Sequence, residues 1–368
     1  MHRFYLDLHG LATVDLCVSA RMERKIRGNL ASLVSAARPA HPDLVVENVS
    51  DVRDGIRLLG MVRGSRYQFA WLKVGDRAGL AMMDAARPVA ILVPGRPLTL
   101  YLDRDARNTG RPYVMLLYAM SLAVSANRAL LLHGACLAPG IDAPALMLAG
   151  RRGSCKTCLS LSLLHAGWHY LADDKVLLRA SRAYPVERDI GILDWHLDQL
   201  PWLYDRLPPR VRDGKRGARR ALRSLVSRLG ARALPDRFTV AWEQAWIRDC
   251  RAPVHELFPG CRVLPDAGLR AVVLLRPAAA VELVELPPER AIPRLARIEA
   301  AMFADLVPLP AVFEDYFLGA RTTWLEDALT SNLSGVSFVE LGLPMDGTYA
   351  TVQAEALACL STVVKGAA

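Results

Sequence analysis

The sequence predicts an α/β fold, and three observations support this prediction. Short apolar segments typical of strands alternate with helical segments along most of the chain. A Gly-rich turn, residues 150–157, separates one such strand from the helix that follows it. Two adjacent aspartates, Asp173 and Asp174, end the next apolar segment. With 368 residues, the chain is long enough for two domains.

The first predicted domain, residues 1–110, is a small α+β unit. It contains no motif that carries chemistry, so substrate recognition and oligomerisation both remain open as its role. A charged stretch at 103–111 is the predicted linker to the next domain. The predicted elements are a helix at 23–37 and strands at 4–8, 13–19, 67–74, 89–93 and 98–102.

The second predicted domain, residues 111–368, holds the Gly-rich turn and a basic insertion at 205–232. Gly167 is a suitable stop for the helix after the Gly-rich turn. Proline and glutamate in the first turn mark the start of a helix at Pro288. The other predicted elements are helices at 112–126, 156–166 and 351–364 and strands at 129–133, 145–149, 168–172, 269–275, 281–286 and 338–341.

The Gly-rich turn supplies the first candidate binding residues. Free N–H groups at a helix start, together with the positive end of the helix dipole, hold phosphate oxygens. In such a loop the lysine reaches the β and γ phosphates and the following hydroxyl ligates magnesium. The usual pattern has glycine before the lysine, where this chain has cysteine. The turn consists of Gly150, Arg151, Arg152, Gly153, Ser154, Cys155, Lys156 and Thr157.

Three further side chains are candidates for the chemical step. Asp173 and Asp174 follow Lys156 by 17 and 18 residues, at the end of a strand predicted to lie beside the bound phosphates. Adjacent strand residues point in opposite directions, so we expect different roles for the two carboxylates. His133 ends the strand before the loop strand, where its ring can hydrogen-bond a catalytic carboxylate.

Composition excludes several classes of protein. A hydrophobic fraction of 52% excludes a mainly disordered chain, and the longest apolar run, residues 113–126, is too short to cross a membrane. The N-terminus has acid and histidine where an export signal needs apolar residues, so we expect a cytoplasmic protein. Seven scattered cysteines indicate reduced thiols, and Cys155-x-x-Cys158 lacks the second pair that a zinc site requires.

The net charge of +9 is concentrated in one segment. Residues 205–232 contain ten Lys or Arg against two Asp, and residues 217–229 are predicted to form an amphipathic helix. A solvated helix face and a surface for an acidic or phosphorylated partner both explain this charge. Nucleic acid is disfavoured as the partner, because no aromatic-interleaved sheet motif, zinc finger or helix-turn-helix accompanies it.

Three segments, in order, resemble the catalytic core of the bacterial HPr kinase family. They are Leu131-Leu-His-Gly134, the turn 150–157, and the stretch from His165 to Val176 that contains Ala-Asp-Asp. Members of that family have a strand ending in His-Gly, a Gly-rich loop ending in Gly-Lys-Ser or Gly-Lys-Thr, and a strand ending in Ala-Asp-Asp. Residues 188–194 and 274–291 are more weakly similar.

The resemblance implies a P-loop kinase core related to HPr kinase and ATP-dependent phosphoenolpyruvate carboxykinase, with ATP and Mg²⁺ as cofactors. Lys156 would neutralise the β and γ phosphates, and Thr157 and Asp174 would serve magnesium. Asp173 would act as the base with His133 in support, and the reverse assignment of the two aspartates stays open. The expected acceptor is a Ser or Thr hydroxyl of a protein or peptide, including ribosomally made precursors such as those of lasso peptides. Homo-oligomers are expected, since family members often form hexamers.

Departures from the family pattern leave alternatives open. Cys155 replaces a glycine, and Val186-Glu187 replaces the start of a glutamate-led signature, which places reverse phosphorylase activity in doubt. The same fold also serves a kinase for small metabolites, or a degenerate regulatory protein that binds ATP without transfer. We predict that four arginines contact the acceptor: Arg188, Arg219, Arg220 and Arg223.

Overall fold

A computed structural model describes most of the chain and shows a mixed α/β fold with mixed sheets. The described residues are 1–50, 56–63, 68–84, 87–104, 106, 109–151, 153–186, 189–209, 212, 250–306, 324–344 and 349–365. Of the predicted binding residues, Arg152, Arg188, Arg219, Arg220 and Arg223 lie outside this set, as does the predicted helix 217–229.

Within the described residues, twenty strands form the framework of the fold. They are β1 His2–Asp7, β2 Thr13–Val18, β3 Val34–Ser35, β4 Leu44–Val49, β5 Ile56–Arg63, β6 Gln68–Val74, β7 Arg77–Asp84, β8 Arg87–Val93, β9 Leu98–Asp103, β10 Leu130–Leu132, β11 Gly134–Ala138, β12 Ala145–Ala149, β13 His169–Ala172, β14 Val176–Arg179, β15 Arg182–Pro185, β16 Asp189–Ile192, β17 Cys250–Pro253, β18 Ala267–Ala278, β19 Glu282–Leu286 and β20 Ser337–Pro344.

Nine α-helices are seen in the same part of the chain. They are α1 Ala20–Asn29, α2 Gly110–Ala126, α3 Lys156–His165, α4 Asp194–Gln199, α5 Leu203–Arg206, α6 Val254–Leu257, α7 Pro288–Leu306, α8 Trp324–Asn332 and α9 Tyr349–Lys365. None of the helices in the described ranges is both long enough and apolar enough to cross a membrane.

The first sheet contains strands β1 to β9 in the order β3-β1-β2-β4-β9-β8-β7-β6-β5. It is mostly antiparallel, and β4 runs parallel to both of its neighbours. Helix α2 packs on this sheet, and its buried residues share a hydrophobic core with the sheet and with α1. The sequence of α2 is apolar around most of its circumference, which allows the helix to be buried on several sides.

The second sheet holds the Gly-rich turn. Its central strands run in the order β15-β18-β12-β11-β13, and β20 lies on the other side of β18 from β12. Strands β12, β18 and β20 are parallel, and they are buried by apolar clusters on both faces. One cluster includes α3 and α9, and the other includes α7 and α8.

Most predicted elements are confirmed, and two differences have clear physical causes. The helix predicted at 23–37 ends at Asn29, because Gly28 and Asn29 are poor helix formers, and a 3-10 turn and β3 follow. Strand β11 was not predicted, since Gly134–Ala138 contains no β-branched residue. It forms a strand because it pairs with β12 on one side and β13 on the other.

Candidate active site at the edge of the second sheet

The sheet register brings the three predicted motifs to one edge. Gly134, the first residue of β11, pairs with Ala149, the last residue of β12. Cys136 pairs with Ala172, the last residue of β13. The Gly-rich turn and the aspartates therefore follow strands that end at the same edge, with β11 between them.

Two glycines of these motifs are required by close packing. A Cβ on Gly134 would lie 2.8 Å from the carbonyl oxygen of Leu148, closer than real Cβ contacts allow. A Cβ on Gly150 would overlap the hydroxyl of Ser154 and lie 3.1 Å from Cβ of Leu275. Both positions therefore need glycine for space, although neither requires a positive φ.

Cys155 occupies the left-handed region of backbone space, with φ 63° and ψ 18°. Gly153, two residues earlier, also has a positive φ of 82°. For cysteine this conformation is strained, whereas glycine adopts it freely, which explains why glycine is usual before the lysine of a phosphate loop. Cys155 is the N-cap residue of α3, and its side chain makes no capping hydrogen bond.

Lys156 is buried at the start of α3, and its ammonium faces the turn. Its Nζ donates hydrogen bonds to the carbonyl oxygens of Gly150 at 2.6 Å and Arg151 at 3.1 Å. Burial lowers the pKa of Lys156, and the negative charges of Asp173 and Asp174 oppose that shift. Lys156 therefore lies within electrostatic reach of both aspartates.

Ser154 supplies a polar atom without a partner. Its side-chain oxygen is buried and accepts or donates no hydrogen bond within the described residues. Buried hydroxyls normally find a partner, so the unpartnered Ser154 oxygen has hydrogen-bonding capacity that a ligand can complete. Thr157 lies in the first turn of α3, partly exposed.

Asp174 lies at the centre of a charged cluster with His133 and Lys175. Its two carboxylate oxygens contact His133 Nδ1 at 3.0 Å and Lys175 Nζ at 3.1 Å, and its own φ is 71°. Burial opposes ionisation of this carboxyl, but Lys175 and His133 together hold its pKa well below the usual range. Burial lowers the pKa of His133, so the ring is neutral near pH 7. We assign the Nδ1 proton to this contact, which leaves Nε2 as the acceptor atom.

These contacts refine the expected roles. The resemblance implied that His133 supports Asp173, whereas the structure places its Nδ1 against Asp174. Asp173 is 6% exposed and interacts electrostatically with Lys156. An Asp174 that stays ionised is a weak base and a good partner for a cation, which favours Asp173 as the base.

Glu299, on α7, belongs to the site and was not predicted from the sequence. It is 0% exposed; its Oε2 accepts a hydrogen bond from the His133 backbone N–H at 2.9 Å, and its Oε1 has no partner within the described residues. Burial raises the pKa of Glu299 to about 7, against the opposing effect of the His133 hydrogen bond.

The missed residue left a signal in the sequence. Ile292, Leu295 and Ala296 form the buried face of α7, and Glu299 follows Ile292 by seven residues on that same face. An acid within an apolar helical stripe indicates a specific partner. Lys175, adjacent to the aspartates, was likewise not among the candidates.

Oxygen donors for a magnesium ion are present at this edge. Three His, Cys, Asp or Glu side chains grouped to hold a metal ion are not found anywhere in the described residues. Magnesium bound with a triphosphate takes only one or two protein oxygens, the remainder coming from phosphates and water. The Thr157 hydroxyl and the ionised Asp174 carboxylate fit that requirement.

A scan of the chain against models of protein families finds no match, and a search of curated proteins finds no similar one.

Proposed function

We propose that this chain is a phosphotransferase with a P-loop kinase core, which uses Mg²⁺-ATP to phosphorylate a Ser or Thr hydroxyl of a protein or peptide. One observation carries the proposal: a left-handed turn at Cys155 presents Lys156 at the start of α3, within electrostatic reach of Asp173. A phosphate loop and a nearby carboxylate are the two parts that phosphoryl transfer requires of a protein.

The loop would bind the phosphates through its backbone and two side chains. The N–H groups at the start of α3, with the helix dipole, attract anionic oxygens. The unpartnered Ser154 hydroxyl supplies a further donor. Lys156 is held over the loop by two carbonyl oxygens, so its charge is already placed where phosphate charge would develop.

The carboxylates would divide two tasks. Asp173 accepts the proton of the acceptor hydroxyl, because its buried position and its interaction with Lys156 place it beside the loop. Asp174 stays ionised and, with Thr157, would hold magnesium, which when bound neutralises charge on the phosphates. His133 orients Asp174 through Nδ1, and Glu299 fixes the His133 backbone.

The acceptor would be gathered by the basic stretch 205–232. Replacing Arg219, Arg220 and Arg223 with glutamine should raise the KM for the acceptor several-fold and leave ATP binding largely intact, because these arginines are proposed to contact the acceptor. Steady-state kinetics with each substrate varied in turn measures both effects. An unchanged KM for the acceptor would show that the basic stretch does not bind the acceptor.

A regulatory nucleotide-binding protein without transfer activity is the second candidate. The strained Cys155 favours it, because a non-glycine side chain in this conformation makes the loop depart from the usual one. A kinase for a small hydroxylated metabolite shares the same loop and carboxylates, and the acceptor alone distinguishes it.

The test is ATP binding and transfer by the full chain. Wild-type protein should bind ATP in a Mg²⁺-dependent manner by calorimetry, and Lys156→Ala should lose that binding. Lys73→Ala, at a partly exposed lysine of β6, is the matched control and should bind normally. With radiolabelled ATP, a library of Ser- and Thr-containing peptides should accept label and a panel of hydroxylated metabolites should not. Absence of ATP binding by the wild type contradicts the proposal; binding with no transfer to either panel selects the regulatory alternative.

A further inference from the structure

Two cysteines lie three residues apart at the start of α3. Cys155 is the N-cap residue of the helix and Cys158 lies in its first turn, and Cys155 packs against the apolar cluster that includes Cys158. Cys155 is partly exposed, whereas Cys158 is fully buried in the core beneath the loop. The Cys155 side chain is thus partly accessible to solvent, and the Cys158 side chain lies in the core against which Cys155 packs.

The two thiols have the placement of an attacking and a resolving cysteine. Cys-x-x-Cys at a helix N-terminus is an arrangement in which disulfides form and break readily. The other described cysteines lie elsewhere in the sequence, and none of the described residues contains a disulfide. The pair can therefore form a disulfide, a reaction that does not depend on phosphate transfer.

We propose that Cys155 and Cys158 are a reversible modification site, at which a peroxide joins them in an intrachain disulfide and weakens nucleotide binding by the loop. The formation of the disulfide depends only on the two cysteines. Its effect on nucleotide binding rests on the proposed function.

The reaction balances with hydrogen peroxide as the oxidant. The Cys155 sulfur attacks one peroxide oxygen, the O–O bond breaks, and the Cys155 sulfenic acid forms with release of water. The Cys158 sulfur then attacks the Cys155 sulfur, the S–O bond breaks, and a second water leaves with the thiol proton. Two thiols lose two electrons and two protons in total, and one peroxide is reduced to two waters.

Closure of this bond changes the loop, because the thiols must approach. A disulfide requires about 3.5–4.5 Å between Cβ atoms and an S–S bond of about 2.05 Å. Cys158 is fixed in the core, so Cys155 must move, and its backbone N–H belongs to the phosphate-binding turn.

The experiment uses full-length reduced protein treated with hydrogen peroxide, blocked with N-ethylmaleimide, denatured and digested with trypsin. Cleavage after Arg152, Lys156 and Lys175 separates the two cysteines into different peptides. We expect peptide 153–156 linked to peptide 157–175, and separation of the two by dithiothreitol. Only alkylated or over-oxidised peptides would overturn the inference.

Nucleotide binding is measured on the same samples with a fluorescent ATP analogue. Oxidation should weaken binding at least about tenfold, equivalent to about 1.4 kcal/mol, and dithiothreitol should restore it. Cys158→Ala should abolish both the link and the response, whereas Cys17→Ser, a cysteine of β2, should leave both intact. A link without loss of binding overturns the proposed control. If reduced wild type binds no nucleotide, the proposed function fails while the peptide link remains measurable.

Discussion

Buried polar groups of the first sheet differ from those of the candidate site in whether they have partners. In the first sheet, Asp15 and Asp103 are 6% and 4% exposed, and each is paired with an arginine, Arg3 and Arg87, that is about half exposed. At the edge of the second sheet, Glu299 and Ser154 each keep a buried polar atom with no partner in the described residues. The paired carboxylates are satisfied within the protein, whereas the unpartnered atoms at the candidate site have hydrogen-bonding capacity that a ligand can complete.

The largest expected effect tests whether the charges of the second sheet are functional. Asp173→Asn should reduce phosphate transfer by about 10²–10⁴-fold, because the amide cannot accept the hydroxyl proton. ATP affinity, measured by calorimetry, should stay near that of the wild type. Asp15→Asn, a matched change in the first sheet, should leave transfer unchanged. Equal losses of transfer activity in the two variants would show that Asp173 has no special role in the chemistry.

The next effect concerns the stability contributed by Glu299. Its pKa is about 7 in the folded protein and about 4.5 when unfolded, so the folded state holds the proton more tightly. The contribution of Glu299 to the free energy of unfolding is complete below pH 4.5 and is lost as the pH rises through 7. The difference between the folded and unfolded pKa corresponds to about 3 kcal/mol of unfolding free energy.

The measurement is denaturant unfolding of wild type and Glu299→Gln between pH 5 and pH 8. The variant cannot ionise, so its stability relative to wild type should increase over this range. If the difference in unfolding free energy between the two proteins does not change with pH, Glu299 is not the group that titrates in this range.

A smaller effect is expected from the strained turn. Cys155→Gly should stabilise the protein by about 1 kcal/mol, because glycine adopts the left-handed conformation without a Cβ clash. Cys155→Ala removes the thiol and keeps the strain, so it should show no such gain. Thermal unfolding of both variants measures the difference, and a tighter ATP affinity in the glycine variant would indicate a relaxed form of the usual loop. Loss of ATP binding by Cys155→Gly would contradict our assignment of the loop geometry.

The smallest effect tests the first sheet. A double-mutant cycle on Arg3 and Asp15 should give only a small coupling energy, because Arg3 is half exposed and solvent screens the pair. Transfer activity should be the same in all four proteins. A change in activity would mean that the first sheet contributes to the chemistry.

The sequence predicts the parts of this site that are close together in the chain. The strand, turn and helix around Lys156, and the strand before Asp173, follow from local apolar patterns and glycines, and the structure confirms them. The contact between His133 and Asp174 depends on the sheet register, which no local pattern specifies. Glu299 enters from a helix more than a hundred residues away, and only its place on an apolar face marks it. The backbone angle at Cys155 is likewise set by the turn, since cysteine does not favour it.

The position of β18 has a consequence for biosynthesis. Strand β12, which carries the loop, pairs on one side with β18, so Ala145 meets Leu269, and β18 in turn pairs with β20. The first sheet, by contrast, uses only residues up to Asp103. During translation the first sheet can form early, while the loop strand lacks its parallel neighbour until much of the chain has left the ribosome. The proposed nucleotide binding should therefore appear late in synthesis, and chains released before β18 should fold their first sheet without acquiring it.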